Sequence, residues 1–345
     1  MTFAGRDAAI DPYELAGGWL RESRRTLICG LGAVSVEAQR LAVELADRLR
    51  GAVDWTGSPA DAASVLAFQA VGGVGATYGE IADRSNLIVY WRCEPKPLPG
   101  FDRIGDGATR SIVEVPSADF PLADGADYEA LGVLRALAAG VALDETVVEQ
   151  QTGVSLNAWR ALLDRIAGAN YATIVRGKPV AEGGPAAVAA MTQLAQEVHD
   201  RTRVVVASLP SESNATGAEN VLAWQTGYPM AVDFARGYPR YLPGEATFWS
   251  AGERGEWDVI IRLDTGPIID VQPKHVSHPP HAVGFPITPL SEGGGTWHRN
   301  DGVALPLPTR GGAATAESVL RGLIEAVGDE DGSASNGKTG AGAHG

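Results

Sequence analysis

Sulfur is scarce in this chain. Its 345 residues include two cysteines and three methionines. So thin a supply of thiols excludes a disulfide-stapled secreted domain and fits a reducing compartment. Positive charge is short as well: 28 Lys and Arg face 42 Asp and Glu, a formal net charge of −14. Neither nucleic acid nor an anionic membrane is expected as a partner, because both select clustered Lys and Arg. No apolar run approaches the roughly 18 residues of a spanning helix. The opening segment MTFAGRDAAIDPYE lacks a basic stretch followed by an apolar one. No secretory leader is therefore expected, and the cytoplasm is the anticipated location. Two catalytic signatures are missing too: there is no H-E-x-x-H and no G-x-S-x-G.

What is present suits a globular protein. Hydrophobic residues make up 45 % of the chain, enough for one large or two medium domains with a real core. Residues 1–24 read as an arm or short helix. TLICGLG (26–32) is a short strand ending in glycine, VEAQRLAVELADRLR (36–50) an amphipathic helix and GAVDW (51–55) a second strand. SPADAASVLAFQAV (58–71) is a helix, with Ser58 as N-cap and Pro59 in the first turn. Thr77 and Glu80 form a capping box. NLIVYWR (86–92) and SIVEV (111–115) are strands, and helices are expected near 128–139 and 155–167.

The pattern then restarts with strands at 171–177 and 203–209 and helices at 185–200 and 212–224. Strands follow at 258–264 and 267–273. Strands alternating with helices indicate parallel β-α-β units. The expected organisation is two Rossmann-like α/β halves, 25–168 and 169–328. Residues 280–310, rich in Gly, Pro and His, read as irregular loops with short strands, and 315–327 as a closing helix. Residues 329–345 lack any apolar side chain larger than Ala and are expected to be disordered.

Several motifs invite a chemical reading. GSASNGKT (332–339) matches the phosphate-loop pattern G-x-x-x-x-G-K-S/T. That pattern needs a strand before it and a helix after it; a helix and three acidic residues precede this copy, so it reads as tail. Gly30, Gly32 and Asp54 sit where a dinucleotide fold places its glycines and ribose acid, but Ser35 takes the third glycine position. His275, His278 and His281 are spaced by three, with His298 beyond, as a zinc site would welcome; Pro279 and Pro280 forbid a helix that would align them. Cys29 reads as a buried small hydrophobe. Cys93, at a strand end, is better placed for chemistry. The loop TGSPA (56–60), between a strand and a helix N-terminus, lies where open α/β sheets hold ligands, and its N–H groups suit an anion.

Three blocks carry a family resemblance. VLAFQAVGGVGATYGEIADRSNLIVYWRCEP (65–95), NVLAWQTGYPMAVDFARGYPRYLPGEAT (220–247) and GGTWHRNDGV (294–303) resemble the B subunit of formylmethanofuran dehydrogenase, a molybdopterin-type oxidoreductase subunit. The resemblance runs from about 25 to 310. It implies an α/β fold of the molybdopterin oxidoreductase type with two related halves.

The departures from that family matter more than the matches. Active members look like C-x-x-C-type iron–sulfur proteins at their N-terminus, whereas the segment before Cys29 has no cysteine, and Cys29 and Cys93 alone cannot build a four-cysteine cluster. The family's metal-binding cysteine lies in C-H-G-P-S just before the V-L-A-x-Q run. Ungapped carry-over puts Ala60 at that cysteine and Asp61 at the histidine. Molybdenum or tungsten favours a soft thiolate, and a methyl group has no lone pair to offer. Pterin-bound Mo or W and the cluster are therefore expected to be absent.

This pattern resembles the B subunit of the bacterial formyltransferase/hydrolase complex of methylotrophs. That complex passes a formyl group from formyl-tetrahydromethanopterin through a methanofuran-like carrier and hydrolyses it to formate. The resemblance implies a non-redox, structural subunit with no activity of its own. Its implied partners are an amidohydrolase-type hydrolase, a formyltransferase and a glutamate-synthase-like subunit. The alternative is an active B subunit of formylmethanofuran dehydrogenase, with Cys93 or an unusual ligand on the metal and a cluster from a partner chain.

A residual crevice is expected at Thr56, Gly57, Ser58, Ala60 and Asp61. Tyr238, Arg240, Tyr241, Trp297 and Arg299 are interface candidates, since aromatic and Arg side chains are favoured at interface hot spots. GYPRYLPGE also suits plain packing, and Arg299 suits either an ancestral cofactor phosphate or an ion pair with Asp301.

Overall fold

A computed structural model of the protein describes residues 11–95, 110–209, 213–250, 257–264, 266, 268–273, 282–311 and 314–328. The chain divides into two compact units. The first comprises Met1–Thr56, Gly217–Trp297 and Pro306–Gly345; the second comprises Gly57–Thr216 and His298–Leu305.

In chain order, the first unit opens with α1 (Pro12–Glu22), β1 (Thr26–Cys29), α2 (Val36–Arg48) and β2 (Ala52–Val53). The second unit supplies α3 (Pro59–Val71), α4 (Tyr78–Arg84), β3 (Leu87–Trp91), β4 (Ser111–Val115), α5 (Asp127–Ala138), α6 (Glu145–Thr152) and α7 (Leu156–Gly168). It continues with β5 (Tyr171–Arg176), α8 (Lys178–Glu182), α9 (Pro185–Val198) and β6 (Arg203–Ser208). After α10 (Ala215–Thr226), β7 (Val232–Asp233), β8 (Arg240–Tyr241), β9 (Val259–Arg262), β10 (Ile268–Pro273) and β11 (Val283–Pro286) return to the first unit. A short α11 (Leu290–Gly293), a two-stranded ribbon of β12 (Gly295–His298) and β13 (Ala304–Leu307), and α12 (Ala316–Val327) complete the chain.

Both units are α/β with open sheets. The second unit's sheet has the order β4-β3-β5-β6 and is parallel throughout. Its inner strand β3 reads Leu-Ile-Val-Tyr-Trp with every residue buried, as a strand covered on both faces must. The first unit's sheet has the order β11-β10-β9-β1-β2-β7-β8. Here β1 is parallel to both β2 and β9, and the outer strands join antiparallel. Each unit has its own apolar core: Leu27, Ile28, Leu41 and Leu45 are buried in the first, and Trp91, Leu131, Trp159 and Met191 in the second.

The expected join near 168 needs correction. β5 pairs with β3 along its length, Leu87 opposite Ala172 through Trp91 opposite Arg176, so residues 171–208 extend the sheet begun at 87. β9 returns to pair with β1, Thr26 opposite Val259. The units are therefore interleaved in sequence rather than consecutive. Of the two readings of 1–24, the described residues form the short helix, α1, rather than an arm, and its Ala16 and Leu20 are fully or almost fully buried in the first core. The phosphate-loop match, the tail 329–345 and His275, His278 and His281 lie outside the described residues. Among the described residues no helix is long and apolar enough to cross a membrane.

Candidate functional site

In an open α/β sheet, ligands gather beyond the carboxyl ends of the strands where strand order reverses. In the second unit that point lies between β3 and β5. The segment WRC crosses it in a constrained shape. Arg92 takes a left-handed backbone, φ 55°, and its amide donates to the Val115 carbonyl. Its guanidinium turns inward: Nε donates to Asp127 Oδ1 at 3.0 Å and Nη1 to Asp124 Oδ1 at 3.1 Å, while Nη2 reaches the Ala123 carbonyl. The Trp91 indole N–H donates to the same Asp127 oxygen at 2.7 Å. Opposite, the Gly177 amide donates to the Trp91 carbonyl at 2.8 Å, and a Cβ on Gly177 would overlap the Arg92 carbonyl oxygen.

Neither cysteine is presented as a ligand. Cys93 is half-buried, its Sγ within hydrogen-bonding distance of the Val175 carbonyl, and burial pushes its thiol up to about 11. Cys29 is buried in β1, its Sγ 3.6 Å from the Ile261 carbonyl, and burial pushes that thiol up still further. A metal-ligating or nucleophilic cysteine needs the thiolate. Among the described residues no group of three or more His, Cys, Asp and Glu is placed to hold a metal ion. This donor set does not fit a thiolate-bound molybdenum or tungsten, nor a four-cysteine cluster.

The five crevice residues divide at the unit boundary, between Thr56 and Gly57. In the first unit Thr56 is buried and gives its hydroxyl to Asp54. In the second, Asp61 Oδ2 accepts from the Gly57 amide at 3.1 Å and from the Ser58 hydroxyl at 2.8 Å. Ser58 occupies the N-cap position of α3 but makes no side-chain cap; the Asp61 carboxylate takes the place an incoming anion would need. Ala60 is buried, 6 % exposed. One turn further, the Ser64 hydroxyl accepts from Arg176 at 3.1 Å. Burial disfavours the charge on the Arg176 guanidinium. Sequence reasoning misses this residue, because nothing local distinguishes it from a surface arginine.

The dinucleotide reading fails on burial. Asp54 is 0 % exposed, so it cannot meet a ribose. Ser35, at the third glycine position, is instead the N-cap of α2, accepting from the Ala38 amide at 3.3 Å. Gly30 has φ 79°, and a Cβ there would lie 2.7 Å from the Asp264 backbone nitrogen. Its glycine serves a close approach of two chain segments.

The interface candidates fall into distinct environments. Tyr238 is 53 % exposed. Arg240 is paired with Asp233 at 2.5 Å, and Tyr241 stacks on Tyr228 with centroids 5.5 Å apart. Trp297 is half-buried, and His298 is buried, its amide donating to Asn214 Oδ1 at 2.8 Å. Arg299 pairs with Asp301 at 2.5 Å and lies 5.3 Å from the centre of the Tyr78 ring. The block HRND thus forms a clamp within the second unit. Asp301 Oδ2 also accepts the Tyr78 amide at the start of α4, at 2.8 Å, and the Asn300 side-chain Nδ2 donates to the Leu209 carbonyl at 3.0 Å.

Burial alone would raise the Asp301 carboxyl, but Arg299 and the Tyr78 amide hold it below the usual range. Its stabilisation is present above the ordinary Asp pKa and is lost as pH falls through the depressed value. Asp301→Ala removes a helix cap and strands Arg299, so a loss of about 2–3 kcal/mol is expected in urea unfolding at neutral pH. A loss below about 0.5 kcal/mol, the range of ordinary surface changes, would show that the clamp does not hold this end of α4.

No family model matches the chain. Two curated relatives do: the B subunits of the tungsten-containing formylmethanofuran dehydrogenase 2 of Methanocaldococcus jannaschii and of Methanococcus maripaludis. The first is 28 % identical over 75 % of this chain and 64 % of its own length. The second is 28 % identical over 84 % of this chain and 75 % of its own. The chain thus spans less than two thirds of the first relative. Among solved structures, a chain of the formyltransferase/hydrolase complex (FhcABCD) of Methylorubrum extorquens, determined with methylofuran, superposes with a TM-score of 0.69 at 20 % identity. The match covers 93 % of this chain and 97 % of that one. The chain is a homologue of the B subunit of formylmethanofuran dehydrogenase, with the fold of a chain of the formyltransferase/hydrolase complex.

Proposed function

We propose that the chain is a non-redox, non-catalytic structural subunit of a cytoplasmic formyltransferase/hydrolase complex that converts formyl-tetrahydromethanopterin to formate through a methanofuran-like carrier. Its partners in this reading are the amidohydrolase-type, formyltransferase and glutamate-synthase-like subunits. One observation supports the reading: at the position to which ungapped carry-over of the resemblance brings the family's metal cysteine, this chain has buried Ala60, followed by an Asp61 carboxylate that occupies its own helix N-terminus. A protonated, carbonyl-bonded Cys93 is no substitute.

The test is metal and pterin analysis of the chain purified in its native assembly. Tungsten, molybdenum and pterin are expected to be absent from this subunit, with formate release intact. Stoichiometric tungsten or molybdenum with dye-coupled oxidation of a formyl carrier would overturn the reading in favour of an active dehydrogenase. In that event, full activity in Cys93→Ser would exclude Cys93 as the metal ligand.

A further inference from the structure

Asp54 ends the second parallel strand of the first unit, and its carboxyl is entirely enclosed. Its amide donates to the Ile28 carbonyl at 3.0 Å, which fixes the backbone to β1. The carboxyl faces the other way. Oδ2 accepts the Thr56 hydroxyl, and Oδ1 accepts the Ala231 amide at 3.0 Å. Ala231 is itself unusual, a non-glycine residue at φ 50° and 0 % exposed. A left-handed backbone at such a residue costs about 1 kcal/mol or more and persists only when surrounding contacts enforce it. A second contact binds the same turn: the Trp55 indole N–H donates to the Pro229 carbonyl at 2.8 Å. The turn 227–231 is thus fastened to the end of β2 by two adjacent residues.

No cation balances this carboxyl at salt-bridge distance among the described residues. The titratable and charged groups beside it among the described residues include Cys29 on β1, Arg262 and Asp264 at the end of β9, Asp233 and Arg240 on β7 and β8, Tyr228 in the turn itself, and Glu44, Asp47 and Arg48 on α2, where Arg48 is paired with Glu44. Arg262 is paired with Asp264, and Arg240 with Asp233. A carboxylate held by neutral donors in an enclosed site is disfavoured against its protonated form. Burial, opposed by the Thr56 hydroxyl and by the Ala231, Thr56 and Trp55 amides, raises this group to about 7.

We infer that the Asp54 carboxyl is a pH-sensitive latch: neutral, it fastens the turn 227–231 to the end of β2, and on losing its proton it favours opening of that turn. Opening lets water reach the carboxylate and relaxes the strained Ala231. β7 begins at the next residue, and the Ala231 carbonyl accepts the Leu242 amide at 2.9 Å just past β8. The latch therefore sits at the root of the β7–β8 hairpin, whose connecting loop bears the exposed Tyr238.

The sign follows from linkage. A raised folded-state carboxyl stabilises the closed turn fully below the ordinary Asp pKa, and that contribution is lost as pH rises toward the raised value, where the effect levels off. Amide hydrogen exchange of the full chain, corrected for intrinsic rates, tests this. Opening of the peptide covering residues 227–233 is expected to rise several-tens-fold between pH 5 and 7 and to level off above, while the β3 peptide stays flat. Asp54→Asn keeps an acceptor for Ala231 and a donor for Thr56 without the charge, and should remove the dependence. Thr56→Val, which deletes a donor to the ionised form, should move the plateau to higher pH. A flat wild-type profile, or an unchanged rise in Asp54→Asn, would overturn the latch.

Discussion

Arg92→Ala is expected to destabilise the second unit by about 3–5 kcal/mol, the range found when one partner of a buried ion pair is removed. The side chains of Arg92 and Asp127 are only 9 % and 7 % exposed, so the charge left behind is poorly solvated. Asp127 would keep the Trp91 indole N–H and its place in the first turn of α5, where a negative charge is favoured. These recover part of the loss, not all of it. Arg92→Gly should cost about 1 kcal/mol less than Arg92→Ala, because glycine adopts φ 55° without strain. The double variant Arg92→Ala/Asp127→Asn should cost less than the two single changes summed, as coupled neighbours do. Denaturant unfolding of all four variants reads each difference. If Arg92→Ala costs under about 1 kcal/mol, the network is not what holds this strand end.

The same residues show what is legible in the sequence. NLIVYWR announces a covered parallel strand, and β3 is Leu87–Trp91. Thr77 and Glu80 announce a helix start, and the Thr77 hydroxyl accepts the Glu80 amide at 3.2 Å. These signals are local: an apolar run, or a capping residue three positions from its donor. What stays hidden is decided between distant segments. α6, ETVVEQQT, buries only Val148 and Thr152 and has too faint an apolar stripe to stand out. β7 and β8 are two residues each and exist because β2 pairs with β7 and β7 with β8. The interleaving of the units depends on β5 choosing β3 as its neighbour, more than 80 residues back, and on β9 choosing β1; no local pattern encodes that choice.

The site divides along the same line. Ser58 and Asp61 stand three apart, and spacing alone suggests that serine caps the helix. The fold shows the reverse, with the carboxylate accepting and the serine hydroxyl donating. Asp54 is legible as an acid at a strand end, but its complete enclosure arises from β7, the turn before it and the first core. The shortage of thiols, by contrast, is readable from a count of two cysteines, because composition needs no fold to be recognised.

Gly177→Ala is the sharpest steric test of the crevice between β3 and β5, and its expected outcome is a loss of about 3 kcal/mol or more, or failure to fold. Gly177 precedes α8 with an ordinary extended backbone, φ −79°, so alanine meets no conformational penalty. The cost is contact alone: the new methyl would overlap the Arg92 carbonyl and lie 3.1 Å from the Cys93 Cβ. Neither segment can step aside cheaply. The Gly177 amide is bonded to the Trp91 carbonyl, and the Arg92 amide to the Val115 carbonyl, so a shift would break the ladder on one side or the other. Gly132→Ala is the matched control. Gly132 lies on α5 with nothing near its Cβ position, and alanine in an exposed helix should stabilise by about 0.5–1 kcal/mol. Urea midpoints should therefore move in opposite directions for the same chemical change. A Gly177→Ala protein with a wild-type midpoint would mean that these two strand ends stand further apart than described, leaving room for a ligand between them.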